Sequence, residues 1–232
     1  MQTIILAGGF GTRLRAVLPD TPKPMAPIHG RPFLAWLLDY LATQGVDDVI
    51  LSVGYKYDVI KSYFGDQYGA IKIRYSIETD PLGTGGAIKK ALSLVDDDAL
   101  FVLNGDTFLQ LDYAKMLACH NQRGASITLA LRAVDDTSRY GRVELNQNDV
   151  VSFAEKQAGS AGFINSGIYL LSRRIFDNKP LADVFSFETE FLYPYLKSIR
   201  PNAFITDGYF IDIGVPEDYT RAQYELPSLL EA

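Results

Sequence analysis

Apolar positions recur along this chain with two periods that alternate. Residues 3–7, 48–53, 71–76 and 99–103 are short runs, apolar or alternating, and read as strands. Between them the spacing lengthens to that of a helix. Over 31–44 the apolar positions are Phe33, Trp36, Leu37, Tyr40 and Leu41, with Pro32 suited to a first helical turn and Gly45 to an end. Helices are likewise predicted over 57–64, closing at Gly65, over 87–94 after a glycine-rich turn, and over 113–123. Strands joined by helical crossovers predict a doubly wound α/β fold with a mostly parallel sheet.

The pattern changes after residue 123. Four strand-like runs, 126–133, 141–145, 150–153 and 163–171, follow with little helical periodicity between them, which predicts a hairpin-rich β extension. A helix over 187–198, a short strand over 209–213 and a closing helix over 216–225, with Pro216 at its start, complete the reading. No internal repeat, low-complexity tract or linker interrupts it, so a single domain over 1–232 is expected. A hexapeptide repeat that would append a left-handed β-helix is also missing from the sequence.

Composition narrows the class. The 232 residues are 47% hydrophobic and 22% charged, enough apolar material for one sizeable core. A formal net charge of −6 argues against a nucleic-acid-binding face, so an anionic ligand must meet positive charge gathered locally. Cys119 is alone, which rules out an intrachain disulfide or a zinc site built of several thiolates and fits a reducing, cytoplasmic setting. The apolar start, residues 4–7, is too short for a signal-peptide core, and no run approaches the ~18 apolar residues of a spanning helix. Neither export nor membrane insertion is expected.

Candidate chemistry begins at Gly8-Gly9-Phe10-Gly11-Thr12-Arg13, directly after the first strand. Glycines there let amide N–H groups approach phosphate oxygens, although the same residues also suit a tight strand-to-helix turn. A Walker A loop would need Gly-Lys-Ser/Thr at its end, and a dinucleotide fingerprint would need a third glycine where Leu14 stands. Arg13, Arg15 and Lys23, the last between Pro22 and Pro24, tip the balance toward a polyphosphate cradle, since Arg offers bidentate contacts and Lys a movable point charge. Ligands of open parallel sheets sit beyond the carboxyl ends of strands, which singles out Asn104-Gly105-Asp106. His29 and His120 lie in unrelated segments, so no histidine-centred site is expected.

With these motifs in hand, the chain resembles the sugar-phosphate nucleotidylyltransferases, or nucleotide-sugar pyrophosphorylases. The likeness rests on LAGGFGTRL followed by TPKPM, then 81–87 (PLGTGGA), Asn104-Gly105-Asp106, Glu155-Lys156, Asn165-Ser166-Gly167-Ile168-Tyr169 and Ile211-Asp212-Ile213-Gly214, in the family's order. It implies a Rossmann-like, GT-A-like fold, with residues 1–124 mainly the nucleotide half and 125–232 mainly the sugar-phosphate half. It also implies the reaction: a sugar 1-phosphate oxygen attacks the α-phosphorus of a nucleoside triphosphate in line, pyrophosphate leaves, and Mg²⁺ assists.

By the same resemblance, Leu6, Ala7, Gly8, Gly9, Gly11, Thr12, Arg13, Glu78, Gly83, Thr84 and Asn104 bind the nucleotide, and Arg13, Lys23 and Asp106 are catalytic. Asp106 and Asp212 hold the metal; Gly141, Glu155, Lys156 and Asn165 bind the sugar phosphate, with Tyr140 a candidate lining residue. Glu78 favours GTP, since a carboxylate accepts from both N1–H and N2–H of guanine. The run TPKPMAPIHGRPFLAWLLDYL is most similar to the branch acting on a heptose 1-phosphate, with mannose 1-phosphate plus GTP and N-acetylmuramate 1-phosphate plus UTP as runners-up. The chain departs from the family after Lys156, where Gln157 and small residues stand in place of the usual proline. Rival readings are a silent nucleotide-sugar-binding regulatory subunit and a glycosyltransferase. Oligomeric state stays open, a homo-oligomer included.

Overall fold

The computed structural model describes residues 1–9, 21–154 and 160–230. Its centre is four parallel strands in the order β6 (Ile71–Ile77), β4 (Asp48–Val53), β1 (Gln2–Leu6) and β7 (Ala99–Asn104). Ile4 lies opposite both Ile50 and Val102, which sets the register of the middle three. Successive residues of a strand face opposite sides, and here both sides are covered. Ile5, Leu51 and Leu103 join one core; Ile4, Ile50 and Val102 join the other.

Helices α1 (Phe33–Thr43), α2 (Tyr57–Phe64), α4 (Tyr113–Arg123) and α6 (Pro216–Leu230) send buried side chains into the first core. On the opposite face lie α3 (Gly83–Ala91), a turn of π-helix over Phe187–Leu192 and α5 (Tyr193–Ile199). The sequence expected a helix over 187–198, and its first part is wound more widely. Short ladders fill in the rest: β2 (Pro27–Ile28) with β3 (Arg31–Pro32), and β5 (Gln67–Tyr68) at the sheet edge beside β6.

The β extension continues the same sheet. β12 (Gly162–Ser172) runs antiparallel to β7, with Ile168 opposite Leu103, and then pairs with β9 (Ile127–Val134). Beyond β9 come β13 (Asn202–Thr206), β11 (Asp149–Ala154) and β10 (Arg142–Asn146). β13 is absent from the pattern-based reading. It follows Arg200, which takes a left-handed conformation, and lies parallel to β9, so this half holds one crossover among its hairpins. Among the described residues no helix is long and apolar enough to cross a membrane.

α3 begins four residues earlier than periodicity predicts. Its glycine-rich start is already helical because a strap, residues 183–187, lies across it: the amides of Gly85 and Gly86 donate to the Phe185 carbonyl at 2.9 and 3.3 Å, and Phe185 N donates to Leu82 O at 3.0 Å. The ring of Phe185 is so close that a Cβ on Gly85 would stand 2.1 Å from its Cε2. An exposed helical Gly→Ala change gains about 1 kcal/mol. Overpacking a filled site costs about 1–3 kcal/mol, so Gly85→Ala is expected to lower Tm by several degrees. A raised Tm in a melting experiment would show that the strap yields and the close contact is not a constraint.

Candidate active site

The carboxyl ends of β1, β4, β6 and β7 open onto one cleft of about 620 Å³. Leu6, Ala7, Gly8 and Gly9 line it from the end of β1, Glu78 from the end of β6, Gly83 and Thr84 from the start of α3, and Asn104, Gly105 and Asp106 from the end of β7. Every described residue that the sequence assigned to the nucleotide therefore meets at this cleft. Gly11, Thr12 and Arg13 lie outside the described residues, as do Arg15, Glu155 and Lys156. Tyr55, Thr79 and Asp80 also line the cleft and were not anticipated. The strand-end rule that singled out Asp106 would have found Tyr55, two residues past β4.

Glu78 is held from two sides. Ser52 Oγ donates to its Oε1 at 3.0 Å and Leu82 N donates to its Oε2 at 3.1 Å. The carboxylate thus pins the turn into α3, and its remaining lone pairs can accept further donors. Thr84 Oγ1 accepts from Phe187 N at 2.8 Å, which ties the strap to the same wall.

Lys23 enters at the start of a short 3₁₀ turn, Lys23–Met25, between the buried prolines 22 and 24. Proline fixes φ on both sides of it, so the lysine backbone is placed without a long helix to hold it. Its Nζ lies 2.5 Å from Asp106 Oδ2. Asp212 arrives from 106 residues further on. β14 (Phe210–Asp212) pairs antiparallel with β8 (Thr107–Leu109), Asp212 opposite Thr107, and Ile213 N donates to Asp106 O at 3.0 Å. A Cβ added to Gly214 would stand 2.7 Å from Asp212 Oδ1 and 2.8 Å from Lys23 Nζ, so the two groups flank one point of backbone.

Burial, and then the negative charge of Asp106, push the Asp212 carboxyl above its ordinary value; the Gly214 N–H and Lys23 pull the other way. Two carboxylates repelling each other beside one lysine form a donor set for a hard cation. Among the described residues no three His, Cys, Asp or Glu side chains gather into a metal cage. A pair of carboxylates fits Mg²⁺, which takes one or two from the protein and the rest of its oxygens from phosphate and water.

The second half of the chain reaches the same edge. The Tyr140 ring meets Phe210 at 5.7 Å between centroids, and its hydroxyl is pushed up chiefly by burial, with Asp212 adding to the rise. A Cβ on Gly141 would touch Ala154 O at 3.3 Å, which places this glycine beside the strand leading to 155–159. Asn165 is half-buried on β12, its Nδ2 donating to Tyr169 Oη at 2.7 Å and its Oδ1 accepting from Gly167 N at 3.1 Å.

Known proteins match this chain over nearly its whole length. Residues 2–228 match the family model described as nucleotidyl transferase. The D-glycero-α-D-manno-heptose 1-phosphate guanylyltransferase of Campylobacter jejuni is 52% identical over 94% of this chain and 97% of its own. The protein of the same name from Aneurinibacillus thermoaerophilus is 47% identical over 97% and 98%. Crystalline HddC from Yersinia pseudotuberculosis complexed with GMP-PN superposes with a TM-score of 0.86 at 43% identity, covering 97% of this chain and 98% of that one. With its glycine-lined cleft and converging aspartates, the chain belongs to the nucleotidyl transferase family.

Proposed function

We propose that this protein transfers the guanylyl group of GTP to D-glycero-α-D-manno-heptose 1-phosphate, releasing GDP-heptose and pyrophosphate. The observation that carries the reading is the ion pair of Lys23 and Asp106 in a cleft lined by the ends of four parallel strands, with Asp212 brought beside it by the β8–β14 ladder. Full-length likeness to two heptose 1-phosphate guanylyltransferases supports the substrate pair.

Both reactants are anions, so the barrier is set by repulsion and by alignment, and the protein's contribution is placement and charge. In this reading the nucleotide tail lies along Gly8 and Gly9, whose missing side chains admit phosphate oxygens to the backbone. Asp106 and Asp212 would hold Mg²⁺, which when bound would screen the triphosphate and favour negative charge on the α-phosphate oxygens. Lys23 exchanges part of its pairing with Asp106 for the α-phosphate, and Arg13 holds the departing pyrophosphate. Glu78, with lone pairs left after Ser52 and Leu82, accepts from the guanine edge. Gly141, Glu155, Lys156 and Asn165 receive the sugar 1-phosphate. Direct displacement needs no covalent intermediate, and a cytoplasmic setting supplies the triphosphate.

The reading is tested by pyrophosphate release from four nucleoside triphosphates crossed with a panel of sugar 1-phosphates in Mg²⁺. GTP with the heptose 1-phosphate is expected to give the highest turnover, and Lys23→Ala or Asp106→Asn to lower kcat by about 10²–10³ in protein that still melts cooperatively. Absence of pyrophosphate from every pair would favour a binding protein without catalysis. Near-normal kcat in both variants would remove their assigned roles.

The carboxylate pair also predicts a cost to stability. A carboxyl whose folded pKa lies above its unfolded value favours folding when protonated, and that contribution is lost as pH rises through the folded value. At neutral pH the ionised Asp212 is therefore a net burden. Asp212→Asn keeps an oxygen for the Gly214 N–H and removes the charge. It is expected to melt above the parent at pH 7.5 and to lose that advantage once the pH falls below the ordinary carboxylate range. Millimolar Mg²⁺ should raise the Tm of the parent more than that of the variant. A variant less stable than the parent at pH 7.5 without metal would show that Lys23 already neutralises the pair.

A further inference from the structure

Glu188 stands on the π-helical turn that follows the strap, with no place in the site as read from the sequence. The turn starts at a capped end: Ser186 Oγ accepts from Thr189 N at 3.2 Å, and Glu190 Oε2 accepts from Ser186 N at 2.7 Å. Phe187, its first residue, donates its backbone N–H to Thr84 on the nucleotide wall. Glu188 is thus fixed in place from the nucleotide side, and its Oε1 accepts from Tyr169 Oη at 2.7 Å. Tyr169 is 1% exposed, its ring packed 4.9 Å from that of Phe187.

Three hydrogen bonds in series then run from Glu188 to Tyr169, to Asn165 and to the amide of Gly167. Both ends are one-way: a carboxylate only accepts and a backbone N–H only donates. The phenol must therefore donate to Glu188 and accept from Asn165 Nδ2, and Asn165 Oδ1 must face Gly167. No other orientation of the amide satisfies every member. Burial, followed by the charge of Glu188, pushes the Tyr169 hydroxyl upward, which keeps it a donor.

The chain of bonds sits where β12 breaks step. Its register against β9 shifts between Asn165 and Tyr169, a bulge of the kind that re-aims side chains beside binding sites. Gly167, at φ +75°, lies so close to Asn104 of the cleft wall that an added Cβ would stand 2.3 Å from its Nδ2. On the other side of Glu188, Tyr193 stacks on Phe153 of β11 at 4.4 Å, and its hydroxyl is pushed up by burial and then by the Glu188 charge. The relay thus lies against the cleft wall at Asn104, and Tyr193, which feels the Glu188 charge, reaches the strand that leads into 155–159.

We propose that Glu188 is a positioning residue for the sugar 1-phosphate: through Tyr169 it sets the polarity of the Asn165 amide, so that Asn165 offers the acceptor its second N–H. The proposal rests on the reading of Asn165 as a sugar-side residue. Without an acceptor at position 188, the buried phenol donates instead to Asn165, and the amide can answer only by giving up Gly167. Asn165 then presents the wrong group to the same oxygen of the ligand.

The test is steady-state kinetics of Glu188→Ala, Glu188→Gln, Asn165→Ala and the Glu188→Ala/Asn165→Ala double variant, with each substrate varied in turn and folding checked by melting. Glu188→Ala is expected to raise KM for the sugar 1-phosphate about tenfold, the scale of one hydrogen bond, with KM for GTP within about twofold. Glu188→Gln, which keeps an acceptor oxygen, should recover most of the loss, and the double variant should be no worse than Asn165→Ala alone. An unchanged sugar KM in Glu188→Ala, equal losses in both KM values, or multiplied losses in the double variant would overturn the relay while leaving Asn165 in place. An unchanged sugar KM in Asn165→Ala would instead remove the sugar-side reading of Asn165, and the relay with it.

Discussion

Two aspartates from opposite halves of the chain are forced together by three residue pairs of a short antiparallel ladder. β8 and β14 bury Phe108, Leu109 and Ile211 in the first core, and the same register puts Asp212 against Thr107 and brings Asp106 beside it. Burial first, and then the charge of Asp106, hold the Asp212 carboxyl above its ordinary value. A fold that carries such a pair next to a lysine, at the end of four parallel strands, offers oxygen donors of the kind that Mg²⁺ takes. Gly8, Gly9, the proline-flanked Lys23 and the cleft wall lie around that pair.

The second structural theme is coupling between the halves. The strap, residues 183–187, is why 83–86 is rich in glycine: Phe185 takes the amides of Gly85 and Gly86 and fills the space side chains would need. The amides of Gly85 and Gly86 are consequently committed to the strap. The same strap carries Glu188 on to Tyr169 and Asn165. The cleft wall at Thr84 and strand β12 are thereby parts of one hydrogen-bonded assembly.

Much of this was legible in the residues. Strand β4 and helices α2 and α4 span the residues that periodicity predicts for them, because each has a clear apolar face and clear end signals such as Gly65 and Gly124. Asp106 and Asp212 were legible as residues at strand ends in a recognisable order. What escaped depends on distant partners. β13 is five residues made a strand by distant partners, β9 and, at Asn202, β11; the early start of α3 depends on Phe185; Glu188 acquires meaning only through Tyr169. Tyr55 was missed although strand-end logic pointed to it.

The pairing of the two carboxylates on one ion is addressed most directly by a crystal structure grown with Mn²⁺ and a non-hydrolysable GTP analogue, read by anomalous scattering. A manganese peak bridging Asp106 and Asp212, with Lys23 turned to the α-phosphate and the tail along Gly8 and Gly9, is the predicted result. A peak held elsewhere, with Lys23 still paired to Asp106 and the aspartates bare, would contradict the account.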